Sequence, residues 1–156
     1  MAETTLTQAE AEALLAMEKH RVDDTPHVFP ALGGSIEVPL ISANKREAFF
    51  LDITRGRINL KKATYQNRVR TVVILARLDI DGPPHENPDG QEIPCPHLHT
   101  YREGYGDKWA VPAPALAFSR TTDLWGSLMD FMTFCKITEI PLIERDLFIG
   151  SKRFRA

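Results

Sequence analysis

From Cys95 to Ala110 the chain reads Cys-Pro-His-Leu-His-Thr-Tyr-Arg-Glu-Gly-Tyr-Gly-Asp-Lys-Trp-Ala, its densest run of titratable and aromatic side chains. In an extended backbone side chains alternate between faces, so Cys95, His97, His99, Tyr101 and Glu103 share one surface and Leu98, Thr100 and Arg102 the other. Two imidazoles, a phenol and a carboxylate on one face suit acid–base work near neutral pH, metal binding or capture of an anion.

The metal-free chemistry that fits is RNA cleavage through the 2′-hydroxyl, which needs a base, an acid and a cation for the charged phosphorane. His97 and His99 are the candidate acid and base, Tyr101 and Glu103 orient them, and Arg68 neutralises the phosphate. That expectation, a metal-independent ribonuclease of toxin type, includes no cofactor and no metal. The alternative uses His97 and His99 as metal ligands, completed from Glu103, Asp107, Cys95, Cys135 or His85. His-x-His followed by a carboxylate matches half of the cupin ligand pattern, but no histidine follows His99 to supply the other half. The repeated His-x-Ser/Thr of the two-histidine phosphoesterases is also missing. A purely structural reading makes the pair a hydrogen-bonded strand ladder, with Trp109 and Tyr105 as core and turn residues.

Charge supplies the second signal. Net charge is −2, yet Arg55, Arg57, Lys61, Lys62, Arg68, Arg70 and Arg77 fall in a stretch without an Asp or Glu, so that stretch carries +7 and the remainder −9. Together with Arg102 and Lys108 it predicts an electropositive face for nucleic acid, RNA above all, or for an acidic or nucleic-acid-binding protein surface. Alternatively, the cations are balanced by the acidic first helix.

The elements that must position these groups are legible in outline. At 156 residues, 43% hydrophobic and 26% charged, the chain is expected to be one domain with its own core. Thr7-Gln8-Ala9-Glu10 has the capping-box form and predicts a helix from about Gln8 to Arg21, with residues 1–6 disordered. Pro30, Gly33, Gly34 and Pro39 read as a connector with a short strand near Ile36. Phe49, Leu51 and Ile53 alternate with polar neighbours, and Arg55-Gly56 turns the chain towards Ile58 and Leu60, which predicts a hairpin. Val72 to Ala76 is apolar on both faces and predicts a central strand covered by a helix. Gly104 and Gly106 mark a turn into Lys108 to Val111. Leu124, Leu128, Phe131 and Cys135 follow Thr121-Thr122-Asp123 at helical spacing, predicting a second helix to about Ile137. The chain then ends apolar and basic, with Lys152, Arg153 and Arg155. The order predicts an α+β fold: a single domain with an antiparallel meander packed by an N-terminal and a C-terminal helix.

Cys95 and Cys135 are the two cysteines, far apart, so reduced thiols are expected. The start is polar and acidic rather than a secretory signal, and no apolar run approaches the ~20 residues of a membrane span, so a cytoplasmic protein without a membrane partner is expected.

Three stretches carry a resemblance: Phe50 to Ile58, Thr64 to Arg68, and Pro96 to Ala110. They resemble an uncharacterised family of small bacterial proteins met near phages and other mobile elements, over about Phe50 through the second helix. The resemblance implies a setting rather than a residue role, namely toxin, antitoxin or inhibitor of host defence. It therefore adds a second class to the ribonuclease reading, a non-enzymatic inhibitor that binds a partner protein through its basic face.

Overall fold

In a computed structural model, residues 5–145 of the chain are described. Helix α1 (Gln8–Ala16) precedes strands β1 (Lys19–Arg21), β2 (Pro26–Val28), β3 (Ser35–Ser42), β4 (Ala48–Arg55), β5 (Ala63–Val69) and β6 (Val73–Ile80). Two short strands, β7 (His85–Glu86) and β8 (Glu92–Ile93), lead into β9 (His97–Thr100) and β10 (Ala110–Pro112). Helix α2 (Leu124–Phe134), β11 (Ile137–Glu139) and β12 (Leu142–Glu144) follow. Eight strands form one sheet in the order β10-β9-β6-β5-β4-β3-β1-β11, antiparallel except where β1 meets β11. The α+β class and the flanking pair of helices are as the sequence implies.

Alternation explains how the sheet is used. In β5, Ala63, Tyr65, Asn67 and Val69 are buried while Thr64, Gln66 and Arg68 are half-buried, so one face is apolar and the other polar. Leu51, Ile53, Tyr65, Leu78 and Leu98 join the core cluster with Leu128, Phe131 and Met132 of α2. Burying such a side chain contributes about 1.5–3 kcal/mol. The Tyr65 hydroxyl donates to the Leu124 carbonyl at 2.7 Å, which sets the helix on the sheet.

Both helices are capped as read: Thr7 and Glu10 form the capping box, and Asp123 accepts from the Trp125 amide at 3.2 Å. Other boundaries differ. Helix α1 stops at Ala16 because Met17 is extended and Lys19 to Arg21 pair with β3 and β11. Lys19 is fully buried, its ammonium donating to the carbonyls of Leu15 (2.8 Å), Met17 (2.9 Å) and Cys135 (2.7 Å). Leu6 is in the core rather than in a disordered lead. Ile58 and Leu60 lie exposed in the β4–β5 loop, not in a strand. Residues 65–80 form two strands, with Arg70 and Thr71 at left-handed φ between them. The connector holds the eight-residue β3, and α2 ends at Phe134. Lys152, Arg153 and Arg155 lie outside the described residues.

Candidate functional site

Strand register assembles the site. β9 pairs antiparallel with β6 so that Arg77 faces His99 and Asp79 faces His97, all four on the polar side of the sheet, while Leu98 points to the core beside Leu78. The Asp79 Oδ2 atom lies 3.0 Å from His97 Nε2 and 3.1 Å from His99 Nε2, and one donor atom from each residue falls within 4.8 Å of the others. Oδ1 accepts from the Thr64 hydroxyl at 2.8 Å. The histidines are buried although they sit on the polar face, because two loops fold over them. The Nδ1–H of His97 donates to the Ile93 carbonyl at 3.1 Å, and that of His99 to the Asp107 carbonyl at 2.8 Å. Arg77 donates to the Asp107 carboxylate at 2.9 Å and closes the second loop down.

Those bonds fix where the protons are. A carbonyl only accepts, so both Nδ1 atoms carry hydrogen. Arg77 Nη2, which only donates, lies 3.0 Å from His99 Nε2, so that nitrogen presents its lone pair. Burial pushes the His97 imidazole below its ordinary value against the pull of Asp79, which leaves it neutral with its own lone pair on Nε2. Burial alone would raise the Asp79 carboxyl, yet the His99 contact, the Arg77 charge and the Thr64 hydroxyl hold it well below the usual carboxylate range. Asp79 is an anion. Two imidazole Nε2 atoms and a carboxylate oxygen therefore converge on one point, a donor set that a divalent cation at its centre would satisfy. Donors on a tetrahedral zinc lie about 3.3 Å apart, given bonds near 2 Å. Histidine ligands are ordinarily oriented by an outer hydrogen bond of the kind each Nδ1–H makes here.

The site opens on a cleft of about 230 Å³ lined by Lys62, Thr64, Asp79, His85, Cys95 and His97 among others. The His85 ring stands 4.5 Å from that of His99, and its Nε2–H donates to the Lys108 carbonyl at 2.7 Å. Cys95 Sγ lies 3.6 Å from His97 Nδ1, with burial pushing the thiol up.

Of the acid–base set read from the sequence, only His97 and His99 meet. Tyr101 does not continue their face: pairing with β6 ends at Thr100, and the Tyr101 hydroxyl bridges the amide and carbonyl of Leu6 in the core, each at 2.8 Å. Glu103 accepts from the Gln8 amide at 2.9 Å and so belongs to the start of α1. Arg68 is bound by Asp52, with Nη2 to Oδ1 at 2.8 Å, and lies four β5 positions from Thr64, about 13 Å along the strand.

The basic stretch is likewise divided. Arg68, Arg70 and Arg77 pair with Asp52, Glu47 and the Asp79–Asp107 couple, carboxylates of the sheet and its loops rather than of α1. Arg55 donates to the Pro30 and Leu60 carbonyls. Arg102 stacks on Trp109, 4.3 Å from the ring centre. Arg57, Lys61 and Lys108 remain exposed, and Lys62 half-buried in the cleft.

Asp79, the third donor, is absent from the sequence-based set. Its trace in the sequence is the alternation Arg77-Leu78-Asp79, charged on one face and apolar on the other; its partnership with His97 depends on strand register, which that alternation leaves open.

A profile for the family described as of unknown function (DUF6978) matches residues 6–137. The chain belongs to this family. The DUF6978 span runs from Leu6 to Ile137, so Asp79, His97, His99 and the loops over them all lie inside it, in line with the resemblance to an uncharacterised family. No curated protein and no solved structure matches the chain. No helix among the described residues is long and apolar enough to cross a membrane.

Proposed function

We propose that this chain is a metal-dependent enzyme in which His97, His99 and Asp79 hold one divalent ion of the zinc type. The observation that carries the reading is the convergence of the His97 and His99 Nε2 atoms and one Asp79 carboxylate oxygen within 4.8 Å of one another. Two histidines and a carboxylate are a ligand set of catalytic rather than structural zinc, because they leave a coordination position for water or substrate. An ion so held lowers the pKa of bound water towards neutrality and supplies a nucleophile for hydrolysis. The remaining work falls to the protein. The Ile93 and Asp107 carbonyls fix the two rings, Thr64 fixes the carboxylate, and Arg77 balances the charge of Asp79 and Asp107.

This reading replaces His97 and His99 as a free acid–base pair, since both rings are buried and neither has Tyr101, Glu103 or Arg68 within reach. The test is zinc titration of chelator-stripped protein, with hydrolysis of a chromogenic phosphate or carboxylate ester followed in parallel. One ion per chain, together with a hydrolysis rate that vanishes in EDTA and returns with zinc, is the expected result. Absence of stoichiometric binding by zinc, manganese or iron(II) overturns the reading.

A further inference from the structure

Of the cations of its stretch whose side chains have no hydrogen-bond or ion-pair partner among the described residues, Arg57 and Lys61 are exposed and Lys62 alone lies in the cleft. It is half-buried, it lines the cleft, and its ammonium has no hydrogen-bond acceptor or ion-pair partner among the described residues, whereas Arg55, Arg68, Arg70 and Arg77 all have theirs. Its stem is held by two glycines. A Cβ at Gly56 would come within 3.0 Å of the Lys62 Cβ and 3.2 Å of its Cδ, and one at Gly82 within 3.4 Å of Cε and 3.5 Å of Nζ. Any other residue at Gly56 crowds the stem that carries the ammonium to the cleft, whereas a Cβ at Gly82 would make ordinary contact with it and the constraint there is φ +147°, a region L side chains rarely adopt. The charge at the cleft then depends on the metal. Without an ion Asp79 and Asp81 outnumber Lys62; with a divalent ion the balance turns positive, and two cationic groups face one small space.

We infer that the cleft binds a small oxyanion, a phosphoryl or carboxylate group, between the ion held by His97, His99 and Asp79 and the ammonium of Lys62. The inference rests on the metal reading above and names the substrate class of that site. An ammonium on a flexible stem recognises an oxyanion as a point charge. The cleft, at about 230 Å³, admits a phosphate or a small organic acid.

The experiment is isothermal titration of inorganic phosphate, and separately of acetate, into three samples: zinc-loaded protein, chelator-stripped protein and zinc-loaded Lys62→Met. Phosphate or acetate should bind the zinc-loaded protein, bind the stripped protein at least tenfold more weakly, and lose about tenfold in affinity in Lys62→Met; whichever anion binds identifies the group. Methionine keeps the apolar stem between the glycines, and an unchanged zinc stoichiometry in the variant confirms that it is folded. Stoichiometric zinc with no binding of either anion, or with equal binding by Lys62→Met, overturns the inference while leaving the metal site intact. Failure to bind any metal overturns both.

Discussion

Replacing Asp79 by asparagine separates a metal site from a charge-paired scaffold by the size of its effect. In the stripped protein the amide nitrogen, in place of Oδ2, would donate to His97 Nε2, now 3.0 Å away, while His99 Nε2 keeps the Arg77 N–H and the amide oxygen keeps the Thr64 hydroxyl. The new hydrogen bond contributes about 1 kcal/mol. Loss of the 3.3 Å Arg77–Asp79 pair, both side chains partly exposed, costs about 1 kcal/mol. Asp79→Asn should therefore leave the EDTA-treated protein within about 1 kcal/mol of the wild type, a shift of a few degrees in Tm at most. Had the imidazoles been protonated, the same change would strand buried positive charge and cost about 3–5 kcal/mol. Zinc separates the two: at a thousandfold excess over Kd the wild type gains about 4 kcal/mol and the variant little. Urea unfolding of both proteins, in EDTA and in zinc, reads both effects. A loss of 3 kcal/mol or more by Asp79→Asn in EDTA would refute the lone-pair argument.

Tyr101→Phe should cost about 2–4 kcal/mol, because it leaves the buried amide and carbonyl of Leu6 without their partner. Its zinc affinity should be unchanged in the same titration; a parallel loss would return Tyr101 to the site. Leu98→Ala should cost ~2–4 kcal/mol as a core truncation. His97→Ala in EDTA should cost less and should abolish zinc stabilisation, and equal losses in urea melts would make the pair scaffold. In the folded chain His97 lies below its ordinary 6.5 and Asp79 below 3.8. As pH falls below 6.5 the unfolded chain gains a proton at His97 that the folded chain refuses, so stability drops; a further loss, from Asp79, follows below 3.8. Urea midpoints in EDTA from pH 8 to 3 check this, and a flat profile from 7 to 4.5, or one that His97→Ala does not alter, contradicts it.

Local signals carried much of the architecture. The Thr7–Glu10 capping box, the alternation of Phe49 to Ile53 and the apolar stripe of α2 each encode their element within a few residues. What escaped was set by partners distant in sequence. Lys19 to Arg21 would extend a helix by spacing alone, but β3 and β11 claim them as a strand. Tyr101 has the right parity for the histidine face, yet the ladder to β6 ends one residue earlier and Leu6, 95 positions away, takes its hydroxyl. Local spacing brought His97 and His99 together but left out Asp79, which meets them only through the β6–β9 register. Counting cations likewise left out the carboxylates that β3, β4 and the 102–109 loop return to them.

Buried Lys19 has a consequence for cooperativity. Its ammonium is shared among carbonyls at the C-terminal ends of both helices, 116 positions apart for Cys135. If either helix end frays, the charge loses acceptors inside the core, and the remaining contacts become costly to keep. The two helices should then open together, with backbone amides at the ends of α1 and α2 exchanging hydrogen at one common free energy. The sheet edge farthest from the histidines would behave as one locked unit, while the loops over the cleft, tied instead by the side chains of His97, His99, Arg77 and Asn87, open independently of it.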